Sequence, residues 1–129
     1  MSGLFRRCIC AAIVGILHAL MSPAGVAGEA RARLQVQTGP LMGTRYYDAD
    51  AAWGELEIGQ QVSLMREPSN SHDSNAISVY SGGRRLGYVP RRANGILAWS
   101  LDRGDPLQAR IRRLGRGRAP RIDIEVYVE

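Results

Sequence analysis

The chain has 129 residues, with 17 basic residues (all arginine), 12 acids, a formal net charge of +5 and 45% hydrophobic residues. That is the balance of one small folded domain, not of a disordered tail. The length leaves no room for two independent cores, a TIM barrel, or a Rossmann domain with a partner. Aromatic residues make up only 6%, so the core must be mostly aliphatic.

Met1 to Ala30 reads as a targeting segment. Arg6 and Arg7 form a positive start, and Cys8 to Leu20 is uncharged, with His18 its one markedly polar residue. Ser22-Pro23 breaks the run, and Ala24 to Gly28 supplies small residues for a signal peptidase. The apolar stretch is short for a membrane span. The expectation is an exported protein, periplasmic or secreted, cleaved after Ala27 or Gly28 and left without a stable membrane anchor. An uncleaved anchor or a mis-assigned start codon are the alternatives. Removal of residues 1–28 leaves 101 residues and 15 arginines against the same 12 acids. Cys8 and Cys10 leave with the leader and His72 is the remaining histidine, so neither a disulfide nor a multi-histidine metal site is expected.

Residues 29–40 form a lead-in segment, with Arg31 to Gln37 either a short strand or a linker. Leu41 to Tyr47 is expected as a strand, and Asp48 to Gly59 as a connection. Gln61 to Glu67 alternates, with Val62 and Leu64 on one face. Pro68 to Asn75 is a run of turn formers. Ala76 to Tyr80 and Arg84 to Val89 are strands joined by the Ser81-Gly82-Gly83 hairpin. Ala93, Ile96, Leu97 and Leu101 recur at helical spacing, so an amphipathic helix is predicted over Arg91 to Arg103, capped by Gly104 and stopped by Pro106. Leu107 to Leu114 is the next strand. Ile122, Ile124, Val126 and Val128 alternate with Arg121, Asp123, Glu125 and Tyr127, which predicts a final strand with one buried and one wet face. The sum is a mainly β domain over 41–129: a small OB-like antiparallel β-barrel of five or six strands with an inserted helix.

Three stretches together resemble one family. They are Gly43-Thr44-Arg45-Tyr46-Tyr47, the run from Leu64 through Arg66-Glu67-Pro68-Ser69-Asn70-Ser71-His72-Asp73-Ser74-Asn75-Ala76-Ile77 to Val79, and Leu86-Gly87-Tyr88-Val89-Pro90-Arg91. The chain resembles the HIRAN domain, found at the amino terminus of some SWI/SNF-class translocases and also alone in bacteria. The resemblance implies a modified OB-like barrel that binds single-stranded DNA, particularly a free 3′ end. It carries that role onto Arg45, Tyr46, Asn70, His72, Asp73 and Arg91. His72 stands where the translocase version stacks a tyrosine on a base, and Pro90 departs from the pattern before Arg91.

The residues themselves permit that chemistry. Tyr46, His72 and Tyr88 offer faces for bases, Asp73 can accept from a terminal hydroxyl, and Arg45 and Arg91 can neutralise phosphates. Each has a plainer reading. Asn70, Asp73 and Asn75 are turn formers that bond their own backbone. Tyr46 and Tyr88 can simply pack. Tyr47 points away from Tyr46 if both lie on one strand. Arg66 and Glu67 read as a surface ion pair. The arginine cluster from Arg110 to Arg121, uninterrupted by an acid, is either a phosphate track, a contact for an anionic surface or a solvated hairpin. No Walker loop, metal-binding carboxylate pair or nucleophile–base spacing supports an enzyme. The expected function is therefore a non-enzymatic nucleic-acid-binding module for single-stranded DNA, with no cofactor, metal or nucleotide. The alternative is an exported barrel whose ligand has changed to an envelope polyanion, a peptide or a protein.

Overall fold

The computed structural model describes residues 33–129; the leader reading lies outside them. Six strands form one antiparallel sheet in the order β1-β6-β5-β2-β3-β4. They are β1 (Leu34–Pro40), β2 (Gln61–Arg66), β3 (Ile77–Ser81), β4 (Arg84–Tyr88), β5 (Leu107–Arg116) and β6 (Pro120–Val128). The lead-in is thus a strand, paired with β6 from Leu34–Val128 to Pro40–Asp123. Gly82 and Gly83 both have positive φ, 55° and 81°, as the tight β3–β4 hairpin requires.

β2 is the corner of the sheet. Its first two residues pair with β5, Gln61 with Arg110 and Val62 with Ala109. Its last four pair with β3. Register shifts in β1, β3 and β5 add local twist. The sheet curls until one edge meets the other: Met42 bridges Tyr88, with mutual backbone hydrogen bonds of 2.8 and 2.9 Å. Gly87 makes that approach possible, since a Cβ there would lie 2.7 Å from the Met42 carbonyl oxygen. The result is an OB-like barrel with an aliphatic core that includes Ile77, Val79, Leu86, Ile111, Ile122 and Val126.

Helix α2 (Arg91–Asp102) follows β4, and Gly104, at φ 83°, follows it in the left-handed region. It buries Asn94, Leu97 and Ala98, with Ala93 and Leu101 partly covered. Ile96, expected on the core face, is 72% exposed. At 3.6 residues per turn it lies nearly opposite Leu101, and the sheet can cover only one of the two.

Three further expectations are corrected. Leu41 to Tyr47 is not a strand: after the bridge at Met42, Gly43 takes φ 74° and Thr44–Tyr46 forms a 3-10 turn. The Thr44 hydroxyl donates to the Pro120 carbonyl inside the core and locks that turn. The connection over Asp48–Gly59 contains helix α1 (Ala49–Ala52) and a second 3-10 turn, Trp53–Glu55, which place Ala49, Ala52 and Leu56 in the core. The second face of β6 is wet only at its start, at Arg121, for Asp123 and Tyr127 are buried and Glu125 is half-buried. The Tyr127 ring lies under the guanidiniums of Arg33 and Arg110, at 5.1 and 5.4 Å, and its hydroxyl bonds Gln108 and Gln61.

Candidate functional site

The Pro68–Asn75 loop shapes itself. The Asn70 carboxamide oxygen accepts from the backbone N–H groups of His72 (2.9 Å) and Asp73 (3.3 Å), and its amide nitrogen donates to Glu67 at 3.2 Å. This is an Asx-type turn, favoured because a short polar side chain can replace backbone partners. One oxygen of Asp73 accepts from the Asn75 N–H at 3.0 Å, and the other from the buried Asn94 amide of α2 at 2.7 Å. The Asn94 and Asn75 hydrogen bonds hold the Asp73 carboxyl below its usual range against a small burial penalty, and Arg91 adds to them. Arg91 lies 3.7 Å from Asp73, and its guanidinium also donates to the His72 carbonyl. The loop is thereby fastened to the first turns of α2.

Between loop, helix and barrel seam lies a cleft of about 520 Å³. Five of the seven residues singled out from sequence line it: Asn70, His72, Asp73, Tyr88 and Arg91. Arg45 and Tyr46 do not. They line a smaller depression that shares Met42 with the cleft, where Tyr46 is 75% exposed and Arg45 lies 5.7 Å from its ring centre. Tyr47 lines the cleft instead, because the 3-10 turn replaces the strand alternation that favoured its neighbour.

The far wall is an aromatic cluster around one guanidinium. Arg85 lies 5.2 to 5.6 Å from the ring centres of Tyr47, Tyr80 and Tyr88, and donates to the hydroxyls of Tyr80 (3.0 Å) and Tyr88 (3.1 Å). Tyr47 and Tyr88 meet at 5.4 Å with a tilt of 59°. The Tyr88 hydroxyl donates to Glu67, 2.9 and 3.0 Å from its two oxygens. Burial and the Glu67 carboxylate push the Tyr88 phenol up to about 12. Burial works to raise Glu67 as well, but its donors Ser78, Tyr88 and Asn70 and the charge of Arg85 outweigh it, so its carboxyl ends below its usual range.

Glu67 therefore ties both walls of the cleft together, where the sequence alone pairs it with Arg66. Arg66 turns to the helix, donating to both oxygens of Asp102 at 2.9 and 3.1 Å and to the Ala76 carbonyl. Alternation explains the split, since adjacent residues at the end of β2 point to opposite sides. Asn94 escapes the sequence reading too, though it had a signal. Asparagine is a poor helix-interior residue, and this one shares the core-facing stripe with Leu97, Ala98 and Leu101. Four of the six arginines from Arg110 to Arg121 approach acids, two of them the same one. Arg110 pairs with Glu125 at 2.8 Å, Arg121 and Arg113 approach Asp123 at 3.1 and 4.0 Å, and Arg116 pairs with Asp50. Among the described residues no group of three or more His, Cys, Asp or Glu side chains is arranged to hold a metal ion.

A profile of the HIRAN domain matches residues 34–129. The chain belongs to the HIRAN domain family. It superposes on a crystal structure of a protein from Lactobacillus plantarum with a TM-score of 0.64 and 30% identity, over 76% of this chain and 98% of that one. The HIRAN domain of human HLTF shares the fold, with a TM-score of 0.60 and 23% identity over 74% of this chain and 77% of that one. The helicase-like transcription factor of Oryctolagus cuniculus is 35% identical over 65 residues, and the Fanconi-associated nuclease 1 homolog of Oryza sativa is 42% identical over 53. Those matches cover 50% and 38% of this chain but only 6% of either relative.

Proposed function

We propose that this HIRAN domain is a non-enzymatic DNA-binding module that takes the free 3′ end of a single strand into the cleft. The observation that carries the reading is the convergence there of Asp73, His72, Tyr47, Tyr88 and Arg91. A terminal base stacks against the His72 and tyrosine faces, with Tyr46 at the rim for its neighbour; such contacts are sequence-tolerant and contribute about 1–3 kcal/mol per base. Each Asp73 oxygen accepts one protein hydrogen bond. A carboxylate oxygen has two acceptor sites, so one remains for the terminal hydroxyl. Arg91 holds the His72 carbonyl through one nitrogen, and its 72% exposed side chain leaves other N–H groups to present to the preceding phosphate. A 3′-phosphate would set its charge against that of Asp73.

The test is fluorescence anisotropy with matched oligonucleotides ending in a 3′-hydroxyl or a 3′-phosphate, at two salt concentrations. The hydroxyl end should bind about tenfold tighter at both, because counterion release depends on phosphate contacts and not on end chemistry. Tyr46→Ala and His72→Ala should each weaken binding while Arg118→Ala does not. Equal affinity for the two ends overturns the reading.

A second reading has its own support. The Arg6-Arg7 start, apolar run and Ala24–Gly28 segment favour export, where the ligand would be an envelope polyanion, peptide or protein. N-terminal sequencing from fractionated cells tests it: a soluble cytoplasmic protein beginning at Met1 removes it.

A further inference from the structure

The outer crest of α2 carries a stripe that the cleft does not use. Arg92, Ile96, Trp99 and Arg103 fall within about 60° of one another at 3.6 residues per turn, opposite the buried Asn94, Leu97 and Ala98. Ile96 and Trp99 are 72% and 59% exposed. The Arg103 guanidinium lies 3.9 Å from the Trp99 ring centre and is held there by Asp105, with contacts of 2.7 and 3.2 Å. The Asp105 carboxylate closes the far end of the stripe, and Arg92 at its near end has no ion-pair partner among the described residues. A large exposed aromatic flanked by arginines, on a helix whose opposite face already packs the core, calls for an occupant.

Continuity with the cleft says which occupant. Arg91 and Arg92 line the cleft, and both also line a groove between β1 and the start of α2, with Val36 and Ile96 on its apolar walls. From Arg92 to Trp99 is about 10 Å along the helix axis, some three nucleotides at the roughly 3.4 Å spacing of a stacked strand. We infer that the α2 crest is a second contact for the same DNA strand, with Arg92 on a phosphate and a base about three nucleotides beyond that phosphate stacked on Trp99. Arginine beside tryptophan suits this, because the Arg103 guanidinium, itself held by Asp105, lies over the ring and keeps it oriented, while Arg92 supplies the charge for a phosphate. This extension rests on the DNA-end reading of the cleft.

The test compares a dinucleotide with a hexanucleotide, both ending in a 3′-hydroxyl, on the full chain and on W99A. The longer strand should bind the parent at least about fivefold tighter, and W99A should remove that gain while leaving dinucleotide affinity and the preference for a hydroxyl end intact. The hexanucleotide alone should quench tryptophan emission, and W99A should abolish that quenching. If the longer strand gains nothing, or W99A weakens both lengths equally, the second contact is overturned while the cleft reading stands. If neither end is preferred, the cleft reading fails with it. Quenching by anionic lipid vesicles but not by the hexanucleotide would reassign the crest to a membrane surface.

Discussion

Two arginine-rich regions of this domain look alike in sequence and differ in what surrounds them. In the β5–β6 hairpin, Arg110, Arg113, Arg116 and Arg121 each approach a carboxylate at separations of 4.0 Å or less. Around the cleft, Arg85 and Arg91 also approach carboxylates, Glu67 at 4.0 Å and Asp73 at 3.7 Å, but Arg85 sits among three tyrosine rings and Arg91 braces a loop. The hairpin has the higher linear density of charge, yet much of it is returned to the protein's own acids. The lesson is that a basic run in a sequence reports charge, whereas a binding surface depends on the cavity and aromatic faces that surround each charge once strands meet.

The sharpest way to break the comparison is to remove the core both regions share. Ile124 is 4% exposed between the two faces of the barrel. Ile124→Asp should cost more than about 4 kcal/mol, because an unpaired charge enters an apolar interior. Circular dichroism should show the cooperative melt lost; an unchanged melting temperature would contradict the barrel core.

A smaller and more selective effect is expected at Glu67. Glu67→Gln should keep the fold but release Tyr88 and Arg85, so the Tyr88 phenol should fall from about 12 toward its usual 10. An ultraviolet tyrosine titration reads this directly. Acid stability moves with it. A carboxyl held below its ordinary value of 4.5 contributes stability above that pH and loses it as pH falls through its folded value. The Glu67→Gln variant should therefore lose less stability than the parent between neutral pH and about pH 3. DNA-end affinity should fall severalfold, because both walls of the cleft lose their tie.

The smallest effect belongs to the hairpin. Arg116 and Asp50 have side chains 55% and 62% exposed, and Arg116 also lies 5.1 Å from the Trp53 ring centre. Arg116→Ala should change stability by less than about 1 kcal/mol and leave end preference untouched. A large loss of DNA affinity in this variant would place the hairpin, not the cleft, at the centre of binding.

The strands β2 to β6 and helix α2 were legible because each has a side to bury. Period-two runs such as Ile122-Ile124-Val126 and the three-and-four spacing of Leu97 and Leu101 survive folding with little change. Leu41–Tyr47 misled because its residues suit a strand. What breaks the strand is Gly43 in the left-handed region and a hydroxyl bond from Thr44 to a strand 76 residues away. The Asn70–Asp73 turn could also be read, since its side chains bond within a few residues of themselves.

By itself, then, the sequence determined the local periods, the hairpin at Gly82-Gly83, the self-bonded loop and the motif residues that mark the HIRAN family. Only the tertiary structure decided that Tyr47 rather than Tyr46 lines the cleft, that Glu67 joins loop to aromatic wall, that Asn94 anchors Asp73, and that the hairpin arginines are mostly paired. The physical reason is range. Alternation, turn chemistry and helix spacing act over a few residues, whereas the Asp73–Asn94, Glu67–Tyr88 and Arg116–Asp50 contacts join positions 21 to 66 apart, brought together only when the sheet curls and α2 packs on it.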